Sequence, residues 1–205
     1  MGESNGNSGM NSKMYSVVNG KWTRRCPEGT EGSVKRINKN EVEVNEIHIS
    51  GLTNFQLTGM EYKKLDFGTV AEFSMFDEDG DALLSFTTKD QHLLTLCKML
   101  PNIDPSKPMD LILTLDKEKT AKKGKNCYGL LVQQDDEWIK HYYKKGVNGL
   151  PDAKEMRDGS LNFSEQEDFL LGVLEEWALG LKDVAIADAP EPPVNDDPNE
   201  DTVPF

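Results

Sequence analysis

From Val42 to Leu57, apolar side chains recur at nearly alternate positions: Val42, Val44, Ile47, Ile49, Leu52, Phe55 and Leu57, with Gly51 inside the run. A period near two marks a strand with one buried face, and an interior glycine marks a bulge or sharp bend. Phe67–Phe76 reads as a second strand through Val70, Ala71, Phe73 and Met75. Leu83–Thr87 reads as a third, after a tight turn at Asp77-Glu78-Asp79-Gly80-Asp81. The period then changes. Leu93, Leu96, Cys97 and Leu100 fall on one face of a predicted helix over 89–100, capped by Thr88 or Asp90 and stopped by Pro101. Met109–Leu115, Tyr128–Val132 and Trp138–Tyr143 return to strand, the last two across an Asp135-Asp136 turn.

Upstream, Met14–Val18 and Lys21–Thr23 flank Asn19-Gly20, a hairpin signal. Pro27 to Gly32 is a loop. Near the other end, Ser164 followed by Glu167 forms a capping box for a last helix over about 164–181. Its stripe of Phe169, Leu170, Val173, Leu174, Trp177 and Leu181 is suited to packing on a sheet. Three strands, a helix and two strands follow the order of an OB-fold. The expected architecture is mainly β: an OB-fold-like Greek-key β-barrel with a helix between strands 3 and 4, an added C-terminal helix and disordered tails. Residues 1–13, rich in Gly, Ser and Asn, form the expected disordered N-terminal arm. Residues 14–182 form one domain, and 183–205 a disordered acidic tail.

Charge changes this picture at one end. The chain of 205 residues carries a net charge of −13. Seven of those excess negatives lie from Asp183 onward, where no lysine or arginine occurs. The remaining excess is too small to forbid nucleic-acid binding, because a local basic stripe suffices. It does exclude a strongly basic DNA-coating protein. Cys26, Cys97 and Cys127 are odd in number and lack a Cys-x-x-Cys pair, which points to free thiols in a reducing cytoplasm. His48, His92 and His141 are isolated, so no metal set is legible and no cofactor is expected. The polar start is not a signal peptide, and no apolar run spans a bilayer. A soluble cytoplasmic protein is expected, with no membrane partner.

Positive charge gathers in one segment, where Lys117, Lys119, Lys122, Lys123 and Lys125 stand within nine residues. Read as the loop between the fourth and fifth strands, these lysines would overhang a nucleic-acid face and neutralise phosphates without reading sequence. Aromatic residues also recur beside cations. Trp22 is flanked by Lys21, Arg24 and Arg25; Tyr62 by Lys63 and Lys64, in an expected loop; Tyr128 follows Lys125; Trp138 precedes Lys140. Stacking faces beside phosphate-binding cations are what a single strand needs. Phe55, Phe73 and Phe86 are assigned to the core. The Asp77–Asp81 cluster lacks the glycine and glutamate of a calcium loop. A metal-dependent nuclease using Asp77, Asp79 and Asp81 is the weakest of three functional readings. No phosphate-binding glycine loop or nucleophile elbow occurs.

The tail is the most specific motif. Asp196, Asp197, Glu200 and Asp201 precede Val203-Pro204-Phe205, an acidic tether leading to an apolar plug with a free carboxylate. This arrangement resembles the tail of single-stranded DNA-binding proteins from bacteria and their phages, where acids precede a terminal Pro-Phe. Val203 stands where that family commonly has isoleucine, while Pro198, Asn199 and Thr202 interrupt the acids. The resemblance implies a non-enzymatic protein that coats single-stranded DNA in replication, recombination or repair. It also implies that the tail recruits a polymerase, primase-helicase or nuclease. The alternative is an acidic DNA mimic that occupies another protein's cleft. A DNA mimic has no use for the lysine segment. Because its acids can also compete with DNA for a basic groove, deleting the tail is expected to preserve or tighten strand binding.

Overall fold

A computed structural model describes residues 13–38, 41–77, 80–124 and 126–187, without the side chains of Lys123 and residues 182–187. The chain is mainly β, built on one large mixed sheet. The two-residue hairpin is present: β1 (Lys13–Val18) and β2 (Lys21–Arg25) pair across Asn19 and Gly20, whose φ values are 51° and 72°. Positive φ at both central residues is the type I′ requirement that Asn-Gly meets at low cost. Gly20 is doubly constrained, because the Tyr128 ring occupies the space a Cβ would need.

The long apolar run forms two strands, β4 (Glu43–Ile49) and β5 (Gly51–Leu65), separated by Ser50 alone. The bend falls at Ser50, beside Gly51, and a register irregularity of the β5 pairing lies farther on, between Leu52 and Phe55. There Asn54 adopts φ 53° and its N–H donates to Asp110 Oδ1 at 2.8 Å. β5 also runs through Tyr62, Lys63 and Lys64, which the sequence assigned to a loop. The reason is cross-strand pairing with β6 (Gly68–Asp77), which continues through Tyr62↔Ala71, Lys63↔Val70 and Leu65↔Gly68. The turn is therefore at Asp66-Phe67. β7 (Gly80–Thr87) pairs with β6 and, in parallel, with β1. β3 (Val34–Ile37), in a segment without a strand signal, pairs with β4.

α1 (Gln91–Cys97) starts at Asp90, whose side chain accepts from the His92 N–H, and a 3-10 turn follows at Leu100–Asn102. β8 (Met109–Leu115) pairs with β5 and with β9 (Tyr128–Gln134), which turns through Asp135 and Asp136 into the short β10 (Glu137–Trp138). The basic segment expected as a loop is instead mostly helix, α2 (Lys117–Lys123). Asp116 caps it through the Lys119 N–H, and Gly124 ends it with φ 64°. β11 (Lys154–Glu155) and β12 (Leu161–Asn162) make a separate ribbon before α3 (Ser164–Ala187). α3 is longer than predicted. Asn162 Oδ1 caps it by accepting the Ser164 N–H at 2.9 Å, a role the sequence gave to Ser164 itself.

Strand order is β10-β9-β8-β5-β6-β7-β1-β2-β4-β3. Pairing thus passes from β5 through β6, β7, β1 and β2 to β4, and β4 runs into β5. The core includes Trp22, Phe55, Phe73, Leu84 and Phe86 from the strands, joined by Leu93, Leu96 and Cys97 of α1 and Leu170 and Leu174 of α3. Burial pushes the Cys97 thiol up to about 12, so it is inert as a nucleophile. No helix among the described residues is long and apolar enough to cross a membrane.

Candidate nucleic-acid interface

Strand alternation sends one face of this sheet into the core and leaves the other to line a groove of about 760 Å³. The core face carries Trp22, Tyr15, Leu84 and Phe73. The opposite face has a cross-strand row of small polar residues: Thr23 opposite Ser16, Ser16 opposite Ser85, and Ser85 opposite Glu72. Thr23 Oγ1 donates to the Ser16 carbonyl at 3.2 Å. Small side chains in the middle and long ones at the margins make the surface concave. On one margin stand Arg25, Arg36 and Glu46; on the other, the β5–β6 hairpin brings Lys63, Leu65 and Phe67. Phe67, at the hairpin turn, is 74% exposed, and Met14 on β1 is 51% exposed.

Arg25, Arg36 and Lys63 face the groove together with the carboxylates of Glu46 and Glu72, whereas Lys13 and Arg24, which border it on β1 and β2, stand opposite Ala82 and Tyr15 on the core-facing side. The carboxylates are buried and hold their partners in place. Arg36 donates to Glu46 through Nε at 2.9 Å and Nη2 at 2.5 Å, a bidentate pair. These bonds hold the Glu46 carboxyl below its ordinary value against the opposing effect of burial, with smaller help from His48 and Arg25. Lys63 reaches both Glu72 and Glu61, and the bond to Glu72 is the main reason its pKa is raised. Arg25 is exposed and stands opposite Glu46 in the β2–β4 register. Arg24, two residues from Trp22 and opposite Tyr15, stands on the core-facing side of β2, where its Nε is buried with no hydrogen-bond partner among the described residues. The groove therefore offers cations beside an exposed aromatic ring, on a floor small enough to admit a chain.

Of the residues proposed from sequence, the groove gathers Arg25 and Lys63, while Arg24 turns to the core-facing side of β2. Trp22 is a correction. It is wholly buried, its Nε1 donates to the Leu111 carbonyl at 3.1 Å, and it meets Phe86 edge to face. No base can stack on it in this fold. Tyr62 points to the opposite side of β5 from the groove: its hydroxyl donates to the Leu171 carbonyl of α3 at 3.5 Å, and burial pushes its pKa up to about 12. Lys64 is exposed but outside the groove lining. Tyr128 covers Gly20, and its hydroxyl accepts from Asn126 Nδ2 at 3.2 Å. Lys117, Lys119 and Lys122 are exposed on α2, beyond the Gly20 end of the hairpin, with Lys119 paired to Asp116 at 3.0 Å. The Lys123 side chain and Lys125 lie outside the described residues, as does the whole tail: Asp196, Asp197, Glu200, Asp201, Val203, Pro204 and Phe205. Trp138, 52% exposed, and Lys140 belong to a separate surface.

Sequence reading missed Met14, Arg36, Leu65 and Phe67. For Phe67 a signal existed, since a bulky aromatic between Asp66 and Gly68 is unusual turn chemistry. Among the described residues no three His, Cys, Asp or Glu side chains gather as a metal site. Asp79 of the candidate nuclease triad lies outside the described residues.

The Arg36–Glu46 pair yields a stability prediction. Glu46 has a lowered pKa in the folded chain, so it binds a proton less readily than its unfolded counterpart near 4.5. Its contribution is therefore complete above about pH 4.5 and is lost as pH falls through the lowered value. Glu46→Gln is expected to cost about 1–3 kcal/mol at pH 7, less than a fully buried pair because Arg36 keeps a third of its surface in water. In urea melts the gap between wild type and variant should shrink at pH 3; a gap that stays constant would remove the ion pair from the account.

Neither a family model, nor a curated protein, nor a solved structure matches this chain.

Proposed function

We propose that the protein binds single-stranded DNA without sequence preference, as a non-enzymatic factor in replication, recombination or repair. The groove carries this reading, because it combines Arg25, Arg36 and Lys63 with the exposed Phe67 ring over a floor of small residues. Such a surface neutralises phosphates and stacks bases, and neither interaction reads sequence. Stacking on Phe67 needs an unpaired base face, which a duplex does not offer. The proposed fold family is the OB-fold, with β5, β6, β7, β8 and β9 as its five strands and α1 between the third and fourth. The β1–β2 hairpin is an addition that supplies much of the groove floor.

Fluorescence anisotropy of labelled oligo-dT, oligo-dA and duplex at two salt concentrations tests the reading. Both single strands should bind, duplex should bind more weakly, and log affinity should fall with log salt by about 0.7 per phosphate contacted. Tight duplex binding with negligible single-strand binding would sink it. The lysines of α2, with Lys125 after it in the sequence, act as a secondary, sequence-independent contact. Lys122→Ala combined with Lys123→Ala and Lys125→Ala should flatten the salt slope and leave the melting temperature unchanged. An unaltered slope would reduce them to a solvated surface.

The acidic segment is proposed to recruit a replication or recombination protein. Phe205→Ala removes an apolar group without altering charge, so it should leave oligo-dT affinity unchanged and abolish partner capture. A pull-down in which this variant keeps every partner would refute recruitment through the plug.

A further inference from the structure

A second basic surface lies apart from the groove. Lys98, at the C-terminal end of α1, and Lys144 and Lys145, beyond β10, line a pocket of about 610 Å³ with His141. Asp152 is the lone carboxylate in the lining. Among the described residues none of these three lysines forms an ion pair, whereas in the groove Arg36 and Lys63 both do. His141 reports the resulting field. Partial burial of its ring, then the charges of Lys98, Lys144 and Lys119, hold its pKa below the ordinary imidazole value. Beside the cations the pocket has an apolar wall that includes Leu161 and Phe163, 55% and 44% exposed at the start of α3. Unpaired cations next to exposed apolar side chains call for a ligand that is both acidic and hydrophobic.

One segment of this chain has that composition. Residues 196–205 carry Asp196, Asp197, Glu200 and Asp201, no cation, and then Val203-Pro204-Phe205. We propose that this pocket seats residues 196–205 of the chain, with the acids against Lys98, Lys144 and Lys145 and the Val-Pro-Phe triplet against Leu161 and Phe163. Reach permits it. The pocket adjoins the first turn of α3, and the 24 residues of that helix carry its end about 36 Å away at 1.5 Å per residue. The 18 residues from 188 to 205 span up to about 60 Å when extended. Tethering sets a local concentration in the millimolar range, so weak contacts suffice. A nucleic-acid strand is the less suitable occupant, because it needs an open track and this site is a pocket closed on one side by the β11–β12 ribbon. This assignment does not depend on the groove binding DNA. It differs from the simple expectation that the tail blocks the groove: a segment docked here leaves the groove open and is itself withheld from partners.

The test uses the full chain with Phe205 replaced by photoreactive p-benzoyl-phenylalanine. After irradiation, adducts should map to residues 141–166, and saturating oligo-dT should not lower their yield. Lys98→Glu with Lys144→Glu should cut the yield at least tenfold. Adducts confined to residues 13–37 or 61–72, or none within the chain, would overturn the proposal. As a second readout, imidazole NMR should give His141 a lower pKa when D196N, D197N, E200Q and D201N are combined, because neutral side chains no longer offset Lys98, Lys119 and Lys144. Identical His141 titrations in the two chains would also overturn it. Oligo-dT affinity measured on the same samples separates the two readings: loss of strand binding alone leaves the adduct map standing.

Discussion

Combining Arg25→Glu with Phe67→Ala should weaken binding of oligo-dT about 100-fold in moderate salt and leave the melting temperature within a few degrees of wild type. Phe67 is 74% exposed at a hairpin turn, so truncating it opens no cavity. A base stacked on it contributes about 1–3 kcal/mol, or roughly 5–150-fold. Arg25 is exposed at the groove margin, and reversing its charge both removes a phosphate contact and adds repulsion beside Glu46. The two single variants should separate in salt. Arg25→Glu should reduce the slope of log affinity against log salt by at least about 0.7, the value of one contact on a single strand. Phe67→Ala should shift the line downward with its slope unchanged, since stacking releases no counterion. Wild-type affinity in the double variant would remove the groove as the binding surface, even if strands bind elsewhere on the protein.

The groove was only half legible in the sequence, for a physical reason. Alternation in β6 and β7, the Asn19-Gly20 hairpin and the Asp90 cap of α1 are local signals, and each has its counterpart in the structure. The groove floor is not local. Ser16, Thr23 and Ser85 are unremarkable serines and threonine until the parallel β1–β7 pairing sets them in one row. Parallel pairing between strands more than sixty residues apart has no short-range signature. Lysine clustering drew attention to residues 117–125 because density along the chain is visible. The groove cations come from three strands and appear only as a scattered set: Arg25 on β2, Arg36 on β3 and Lys63 on β5. Tyr62 and Lys63 show how finely the outcome depends on register. One residue apart on β5, they point to opposite sides, one beneath α3 and the other into the groove.

Trp22 gives the sharpest separation between a packing role and a binding role. Its neighbours Lys21, Arg24 and Arg25 made it a candidate for stacking, yet β2 turns it inward, where it is 0% exposed. Its ring meets Phe86 at a centroid distance of 5.9 Å, and its Nε1 ties β2 to the Leu111 carbonyl of β8 across 89 residues of sequence. Trp22→Ala should therefore destabilise the chain by about 3–5 kcal/mol, the range for emptying a large aromatic site in a packed core. Trp22→Phe keeps most of the volume but strands the Leu111 carbonyl, and should cost about 1–3 kcal/mol. Urea melts followed by circular dichroism check both values. At temperatures where Trp22→Phe remains folded, its oligo-dT affinity should match wild type, because the residue never reaches the groove. The opposite pattern, a melting curve left intact while oligo-dT affinity falls tenfold or more, would mean that Trp22 leaves the core to meet a base, and with it that β2 presents its other face to the strand.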